Sequence, residues 1–311
     1  MQQTHNKSIR EFVPAAQLIL VLIFLISGTS GCSPVRLIQT TPSAQPRQET
    51  LAAPRESQDE SAPLPKVLSP NDHFTTSGVH PDDSLGIFAE PDHNSEVLGE
   101  LPAGSMPIQI RGEPVSEGNT NWIMVEYNQL QGWADQSQLA VYQGELPPEL
   151  VLLGLDVLYS LKEFEYDVVG ELTHPELCLQ FSPYPFLANT NLSFCPDELP
   201  RVVESPMQLN WGRFDGTGDP IQMSFREYHQ QFIFDRDYTQ ASIIGLNVEV
   251  SSGNSPNNIP DIFPDGKMIE YHFPGFDPQY GGMDWRSLRL VFVNDRGTWY
   301  LTAIVHCEWT I

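Results

Sequence analysis

The chain has 311 residues and a net charge of −24, with 16 lysines and arginines against 40 aspartates and glutamates. Such a charge repels phosphate backbones and anionic headgroups, so nucleic acid is excluded as a partner and the membrane is reached through an anchor only. Hydrophobic residues make up 40% of the chain, which is ample for folded cores. The length predicts about two domains.

The N-terminus predicts export, with residues 1–31 as a signal peptide. Lys7 and Arg10 precede an unbroken apolar run over residues 18–26. This run is too short to span a bilayer but fits the core of a signal peptide. The alternative is an ordinary secretory signal, in which case the cysteine that follows it is incidental.

Cys32 is predicted to be the lipidated residue. Gly31-Cys32 resembles the end of a bacterial lipobox, although Thr29 occupies the position where leucine is usual. The resemblance implies cleavage before Cys32, acylation by palmitate or a similar chain, and attachment of the exported protein to the bacterial cell membrane. Each buried lipid methylene contributes about 0.8 kcal/mol, so two or more chains hold firmly.

Three segments follow the signal peptide. Residues 32–76 hold the lipidated cysteine and a proline-rich, polar stretch that is predicted to be a disordered tether. Residues 77–142 carry short β-like runs separated by turn residues, which predict a small all-β barrel. Residues 148–311 predict an α+β domain with a curved antiparallel sheet.

The barrel segment carries a family resemblance. Its order of motifs resembles the bacterial Src-homology-3 family, which implies binding of cell-wall peptide or glycan, or of an envelope protein. Phe88-Ala89-Glu90 replaces the usual Arg-Ser-Gly of the first motif. The alternative is a spacer without a ligand. The segments that carry the resemblance are Gly86–Pro91, Val97–Gly104, Asn121–Val125 and Gln131–Ala134.

Aromatic residues of this segment predict its binding surface. Trp122, Tyr127 and Trp133 are candidates for an aromatic groove that holds an extended ligand. In so small a barrel such residues more often form the core. We predict that Trp122 is buried and keep Trp133 as the candidate binding residue.

The C-terminal segment begins with a predicted helix from Pro147-Pro148, whose register continues to His174-Pro175. A hairpin, a second helix opened by the capping box of Ser224 and Glu227, and three strands follow. This order resembles the nuclear transport factor 2-like, or cystatin-like, architecture.

Several short motifs also resemble an uncharacterised exported bacterial family. That family has no assigned activity, so the resemblance implies no activity for this chain. These motifs are His174-Pro175, Phe181–Tyr184, Asp235–Tyr238, Tyr271–Gly275 and Asp284–Leu288.

The cysteines beyond Cys32 number three, which leaves one unpaired in an oxidising compartment. Cys178 and Cys195 bracket the predicted hairpin and are the best disulfide candidates. Cys307 is then a buried thiol. Three free buried cysteines remain the alternative.

Candidate chemistry is sparse. His174, His272 and His306 lack the close spacing of zinc motifs, so we predict no metal and no cofactor. Asp215 and Asp219 lie in a glycine-rich stretch that lacks the ligand count of a calcium loop, and a plain turn is predicted.

One long connection in the C-terminal segment is predicted to be a binding loop. It combines aromatic, charged and glycine residues over 271–286 and should rim any pocket that the domain has. The predicted binding residues here are His272, Asp277, Tyr280, Asp284, Trp285, Arg286 and, from the last strand, His306.

The sequence favours a non-catalytic binding protein of the envelope over an enzyme. The alternative is an extracellular hydrolase in which His306 acts as a general base oriented by Asp277 or Asp284. A third possibility is a structural protein whose domains only dock on each other.

Overall fold

The computed structural model describes residues 72–251 and 253–310. The signal peptide, Cys32 and nearly all of the predicted tether lie outside these residues. The described chain is a mixed α+β protein with mostly strands and few helices. The strands are β1 (His73–Thr76), β2 (Ser84–Phe88), β3 (Val97–Pro102), β4 (Gln109–Ile110), β5 (Val115–Glu117), β6 (Thr120–Tyr127), β7 (Leu130–Asp135), β8 (Leu139–Gly144), β9 (Leu179–Ser182), β10 (Ser193–Phe194), β11 (Leu209–Arg213), β12 (Pro220–Met223), β13 (Ile243–Leu246), β14 (Lys267–Phe273), β15 (Arg286–Asp295) and β16 (Thr298–Glu308). The helices are α1 (Pro148–Lys162), α2 (Tyr166–Leu172), α3 (Leu199–Val203), α4 (Phe225–Tyr228) and α5 (Ile259–Ile262).

The larger sheet has eight strands in the order β1-β8-β13-β14-β15-β16-β9-β10. Neighbouring strands are antiparallel except for β8 with β13 and β9 with β16, which run parallel. The prediction of an antiparallel sheet is therefore wrong at these two pairings. Both join strands that are far apart in sequence, and long connections of this kind permit parallel pairing.

The smaller sheet is open and has the order β3-β2-β7-β6-β4, with β5 paired to β6. Its strands alternate between a buried face and an outer face. Ile123 and Val125 of β6 point into a core that also holds Ile87 of β2 and Ala134 of β7. The runs predicted for β2, β3, β6 and β7 are confirmed as strands, whereas the run at residues 106–111 contributes only the two residues of β4.

The smaller sheet shares a hydrophobic core with the edge of the larger sheet. β1 and β8, which lie at the two ends of the predicted barrel segment, pair with each other and belong to the larger sheet. Phe74 of β1 also exchanges backbone hydrogen bonds with Ile108, just before β4. Leu155 of α1 packs in the core of the smaller sheet. The last residues of the segment predicted as tether thus form a strand, because Phe74 reaches the core of the smaller sheet and pairs with Ile108.

Helix α1 packs closely on the larger sheet. Its buried leucines and valines join one hydrophobic core with β14, β15 and β16. A Cβ at Gly154 would collide with the side chain of Ile269 on β14, so this glycine permits the close approach. The helix predicted to continue toward residue 174 breaks after Lys162, where Phe164 takes a left-handed conformation with φ of 61°, and α2 resumes the helical path.

The second predicted helix also divides. The capping box of Ser224 and Glu227 is present and opens α4. A π-helical turn, His229–Ile233, continues it and brings the chain to Asp235. The hairpin of β11 and β12 was not predicted, and the acidic glycine-rich stretch at residues 215–219 is the turn that joins its two strands.

Candidate functional site

A buried ionic cluster joins side chains from three separate segments of the chain. Asp235 follows the π-helical turn, Arg286 begins β15, and His306 and Glu308 lie on the same face of β16. The Arg286 guanidinium is 3.2 Å from Asp235 through Nε and 3.0 Å from Glu308 through Nη2. Cross-strand pairing sets this geometry, because Arg286 stands directly opposite Glu308 in the β15–β16 register.

His306, on β16, completes the cluster. Its Nε2 lies 3.5 Å from Oδ1 of Asp235, and its Nδ1 lies 3.3 Å from the carbonyl oxygen of Pro183. The hydroxyl of Tyr238 donates a hydrogen bond of 2.8 Å to the same Oδ1 of Asp235. The side chain of His306 is 1% exposed, so the ring is enclosed by its partners.

The pKa values of this cluster favour a charged histidine and a charged aspartate. Burial alone lowers the pKa of His306, but the carboxylate of Asp235 outweighs burial, so the pKa lies above its ordinary value. Burial raises the pKa of Asp235, and His306 and Arg286 together hold it below its ordinary value. A raised pKa favours the protonated form of the His306 ring, which does not accept a proton.

The hydrolase hypothesis named the wrong partners for His306. Asp284 accepts hydrogen bonds from the backbone N–H groups of Phe276 and Asp277, at 3.0 and 2.7 Å. Asp277 caps a short 3-10 turn by accepting from the N–H of Gln279 at 2.9 Å. Both carboxylates therefore bond within the 271–286 connection. The aspartate that contacts His306 is Asp235, which follows the π-helical turn.

The remaining predicted binding residues are scattered. Nδ1 of His272 lies 2.8 Å from the hydroxyl of Ser287 on the opposite face of the sheet, where the buried ring of Trp285 lies 5.9 Å away. Tyr280 is 50% exposed on the 3-10 turn. Among the predicted binding residues, Arg286 and His306 both contact Asp235, whereas the contacts of His272 with Trp285 and of Asp284 with Asp277 lie elsewhere. Within the described part of the chain, no group of three or more histidine, cysteine or acidic side chains is arranged to hold a metal ion.

A second buried ion pair lies on the face of the larger sheet that carries His272. Arg289 and Glu270, which are almost fully buried, are 3.1 Å apart, and Arg289 also reaches Glu249 at 2.7 Å. Glu270 accepts backbone N–H groups from Val250 and Ser251. Burial raises the pKa of the nearby Cys307 to about 12, which keeps its thiol protonated. This pair ties the 247–251 segment to the sheet.

An open cleft lies beside β9. Its volume is about 600 Å³, which is in the range of small-molecule sites. Residues 182–191 form one wall, and residues 210–215 of the β11–β12 hairpin form the other. The side chains of Tyr184, Phe186 and Phe214 give the cleft apolar surface, and Thr190, Asn191, Asn210 and Ser255 give it uncharged polar groups.

Two contacts hold the cleft walls in place. The hydroxyl of Tyr184 accepts a hydrogen bond of 3.1 Å from the backbone N–H of Asp215, which joins the walls. Cys178 and Cys195 form a disulfide that closes the chain segment from which the first wall projects. Beneath the cleft, Trp211 stacks on Tyr228 with ring centroids 3.8 Å apart. The cleft is therefore built on a packed aromatic base.

The cleft corrects the sequence interpretation. None of the predicted binding residues lines it, and the 271–286 connection does not rim it. The residues that do line it were missed because the β11–β12 hairpin was not predicted. A usable signal was present at residues 209–213. Leu209, Asn210 and Trp211 alternate between apolar and polar side chains, as residues of a strand do.

The smaller sheet presents an aromatic outer face. Trp122 packs edge-on against Phe88 at 5.5 Å between ring centroids and lies 4.5 Å from the ring of His93. Trp133 stands opposite Phe88 in the β2–β7 pairing, so the two side chains share that face. Trp122 is buried as predicted, whereas Trp133 is half-buried. Tyr127 packs against the opposite, core face and is not part of this surface.

Comparison with known proteins adds no assignment. No protein-family model matches this chain, and no curated protein is similar to it. Among residues 72–251 and 253–310, no helix is both long enough and apolar enough to cross a membrane.

Proposed function

We propose that this chain is an exported, lipid-anchored protein of the bacterial envelope that binds its ligands without transforming them. The sequence supports export and anchoring through the apolar run at residues 18–26 and through Cys32. The observation that carries the binding function is the open cleft of about 600 Å³, which combines half-buried aromatic rings with uncharged polar side chains.

The placement of His306 favours binding over hydrolysis. The pair of His306 and Asp235 lies beneath the chain at Pro183 and does not line the cleft. A general base must reach the proton that it removes, directly or through one water. The His306 ring is 1% exposed, with Nε2 facing Asp235 and Nδ1 facing the carbonyl oxygen of Pro183, so it does not meet this requirement.

The smaller sheet supplies the second half of the proposal. We infer that it is a Src-homology-3-like barrel and that its outer face, which carries Phe88 and Trp133, contacts cell-wall material or a partner protein. The half-buried indole of Trp133 beside the ring of Phe88 is the kind of surface on which an extended ligand packs.

Retention of the purified full chain on isolated peptidoglycan tests this proposal. We expect the wild-type protein to be retained and Trp133→Ala to lose retention. Trp309→Ala is the matched control, because Trp309 is 42% exposed near the C-terminus, away from the smaller sheet. Equal retention of both variants would overturn the role of the outer face, and no retention of the wild-type chain would overturn wall binding.

Point variants suit this test better than fragments. A fragment that begins at residue 77 would remove β1, and a fragment that ends at residue 142 would divide β8. Either cut would damage the larger sheet, because β1 and β8 form its edge next to β13. A loss of binding by such a fragment would then report unfolding.

A further inference from the structure

We propose that the cleft beside β9 binds a short, uncharged oligosaccharide. This inference rests on the proposed ligand-binding function and names the chemical class of the ligand. A sugar ring presents an apolar C–H face and a rim of hydroxyl groups. A site for it therefore needs aromatic surface together with neutral hydrogen-bonding groups.

The apolar surface is available from both walls. Phe186 is 48% exposed on the first wall, and the half-buried ring of Phe214 projects from the second. Tyr184 lies between them, and its hydroxyl is already engaged by the backbone N–H of Asp215. Its ring is therefore fixed in position and presents its apolar surface, which lowers the entropic cost of binding.

The polar groups of the cleft carry little net charge. The Oδ1 atoms of Asn191 and Asn210 already accept from the backbone N–H groups of Ala188 and Gly212, so these amides offer their NH2 groups to a sugar. The hydroxyl of Thr190 can both donate and accept. The charged side chains of the lining are Arg213 and Asp215, whose charges cancel. The guanidinium of Arg213 donates to the carbonyl oxygen of Gly218 within its own hairpin, at 2.7 Å.

The surrounding charge disfavours an anionic ligand. The chain carries a net charge of −24, and the one arginine of the cleft is balanced by an aspartate. A phosphate or carboxylate group would enter a negative field without a cluster of cations to receive it. A neutral ligand avoids this penalty.

An extended peptide fits the cleft less well than a sugar. A peptide that adds to a sheet needs a regular row of free backbone groups. The strand that walls the cleft, β11, has an irregular register between Asn210 and Arg213. Such an irregularity interrupts the row that an added strand would use.

Ligand-observed saturation-transfer NMR with the full chain in detergent tests the proposal. The neutral probes are chitotriose, which carries N-acetyl groups as wall glycans do, and cellotriose, an unmodified glucan. Trigalacturonate is the anionic probe, and tetra-alanine is the peptide probe. We expect transfer to at least one neutral trisaccharide, and the comparison of the two identifies the source of the glycan.

Two variants test whether the ligand binds in the cleft. Phe186→Ala should weaken binding of the neutral probe about tenfold, as expected for loss of an aromatic contact. Trp309→Ala is the matched control, because Trp309 is 42% exposed and does not line the cleft. Thermal unfolding of each variant shows that its fold is kept.

Each outcome decides the question. Transfer to chitotriose or cellotriose that Phe186→Ala weakens and Trp309→Ala leaves intact supports the proposal. Transfer only to tetra-alanine or trigalacturonate overturns an uncharged sugar as the ligand but keeps a ligand-binding cleft. Transfer to no probe, or equal transfer to both variants, overturns the assignment of a sugar to this cleft, whereas wall retention through Trp133 is judged separately.

Discussion

At the scale of single residues, the most consequential group is Asp235. Its carboxylate accepts the hydroxyl of Tyr238 and faces both Arg286 and His306. A carboxylate with three partners is well compensated, but removing its charge leaves His306 buried without its ion-pair partner and Arg286 with Glu308 alone. The cluster also fixes Pro183, whose carbonyl oxygen faces His306 and whose backbone begins the cleft wall.

We predict that Asp235→Asn lowers the free energy of unfolding by about 3 to 5 kcal/mol near pH 6, since one partner of a buried ion pair is lost. Chemical denaturation measures this change. Asp197→Asn is the control, because Asp197 forms a surface ion pair with Arg201 and should change stability little. Equal stability of the two variants would show that the cluster contributes nothing.

The ion pair of His306 and Asp235 predicts a pH dependence of stability. Unfolded His306 titrates near its ordinary pKa of 6.5, and folded His306 titrates at a higher pH. Its contribution to stability is therefore complete below pH 6.5 and is lost as the pH rises through the folded-state pKa. Asp235 stabilises the fold above its ordinary pKa of 3.8, and this contribution to stability is lost as the pH falls through its lowered pKa. Denaturation at a series of pH values should show a decline above pH 6.5 that His306→Gln removes; an unchanged decline in this variant would assign it to another group.

At the scale of elements, the cleft depends on two irregular segments rather than on the sheets. The first wall is the connection between β9 and β10, and the second is the β11–β12 hairpin, which pairs with no other strand of the described chain. Loops positioned by a rigid scaffold commonly carry binding residues. Here the scaffold is β9, which is paired to β16 on one side.

We predict that reduction of the Cys178–Cys195 disulfide loosens the first wall. The bond joins residues 17 apart, and a closed loop of this size contributes about 3 kcal/mol through the unfolded state. Dithiothreitol should lower the unfolding free energy and speed proteolysis between residues 183 and 191. The double variant Cys178→Ser, Cys195→Ser should start at the reduced value and not respond to dithiothreitol. Identical protection of the oxidised and reduced wild-type chain would contradict this prediction.

At the scale of the whole molecule, the net charge and the proposed anchor have opposite effects on contact with a membrane. A net charge of −24 repels anionic headgroups, and the proposed lipid on Cys32 would supply the attachment that this charge opposes.

We predict that Cys32→Ala abolishes labelling by a fatty-acid analogue and releases the protein from the membrane fraction of the producing cells. Thr29→Leu is the control that brings the sequence closer to a lipobox, and it should keep both labelling and attachment. Continued labelling of Cys32→Ala would place the lipid elsewhere, and attachment without any label would show that the uncleaved apolar run holds the protein.

The local pattern of the sequence determined several elements of this protein. The alternation in Trp122–Tyr127 gives β6, and Ser224 with Glu227 opens α4. These features are predictable because a strand's alternation and a helix cap depend on residues a few positions apart. The disulfide between Cys178 and Cys195 is also a local feature, because the two cysteines flank the hairpin of β9 and β10.

Only the tertiary structure decided which side chains meet. Asp235 and His306 are 71 positions apart, and the registers of β14, β15 and β16 bring the segment after the π-helical turn onto the last strand. Nothing local to His306 distinguishes Asp235 from Asp277 or Asp284. The cleft has the same origin, because its walls come from two separate segments that Tyr184 joins by one hydrogen bond. Strand pairing and core packing select such partners, and both depend on the whole chain.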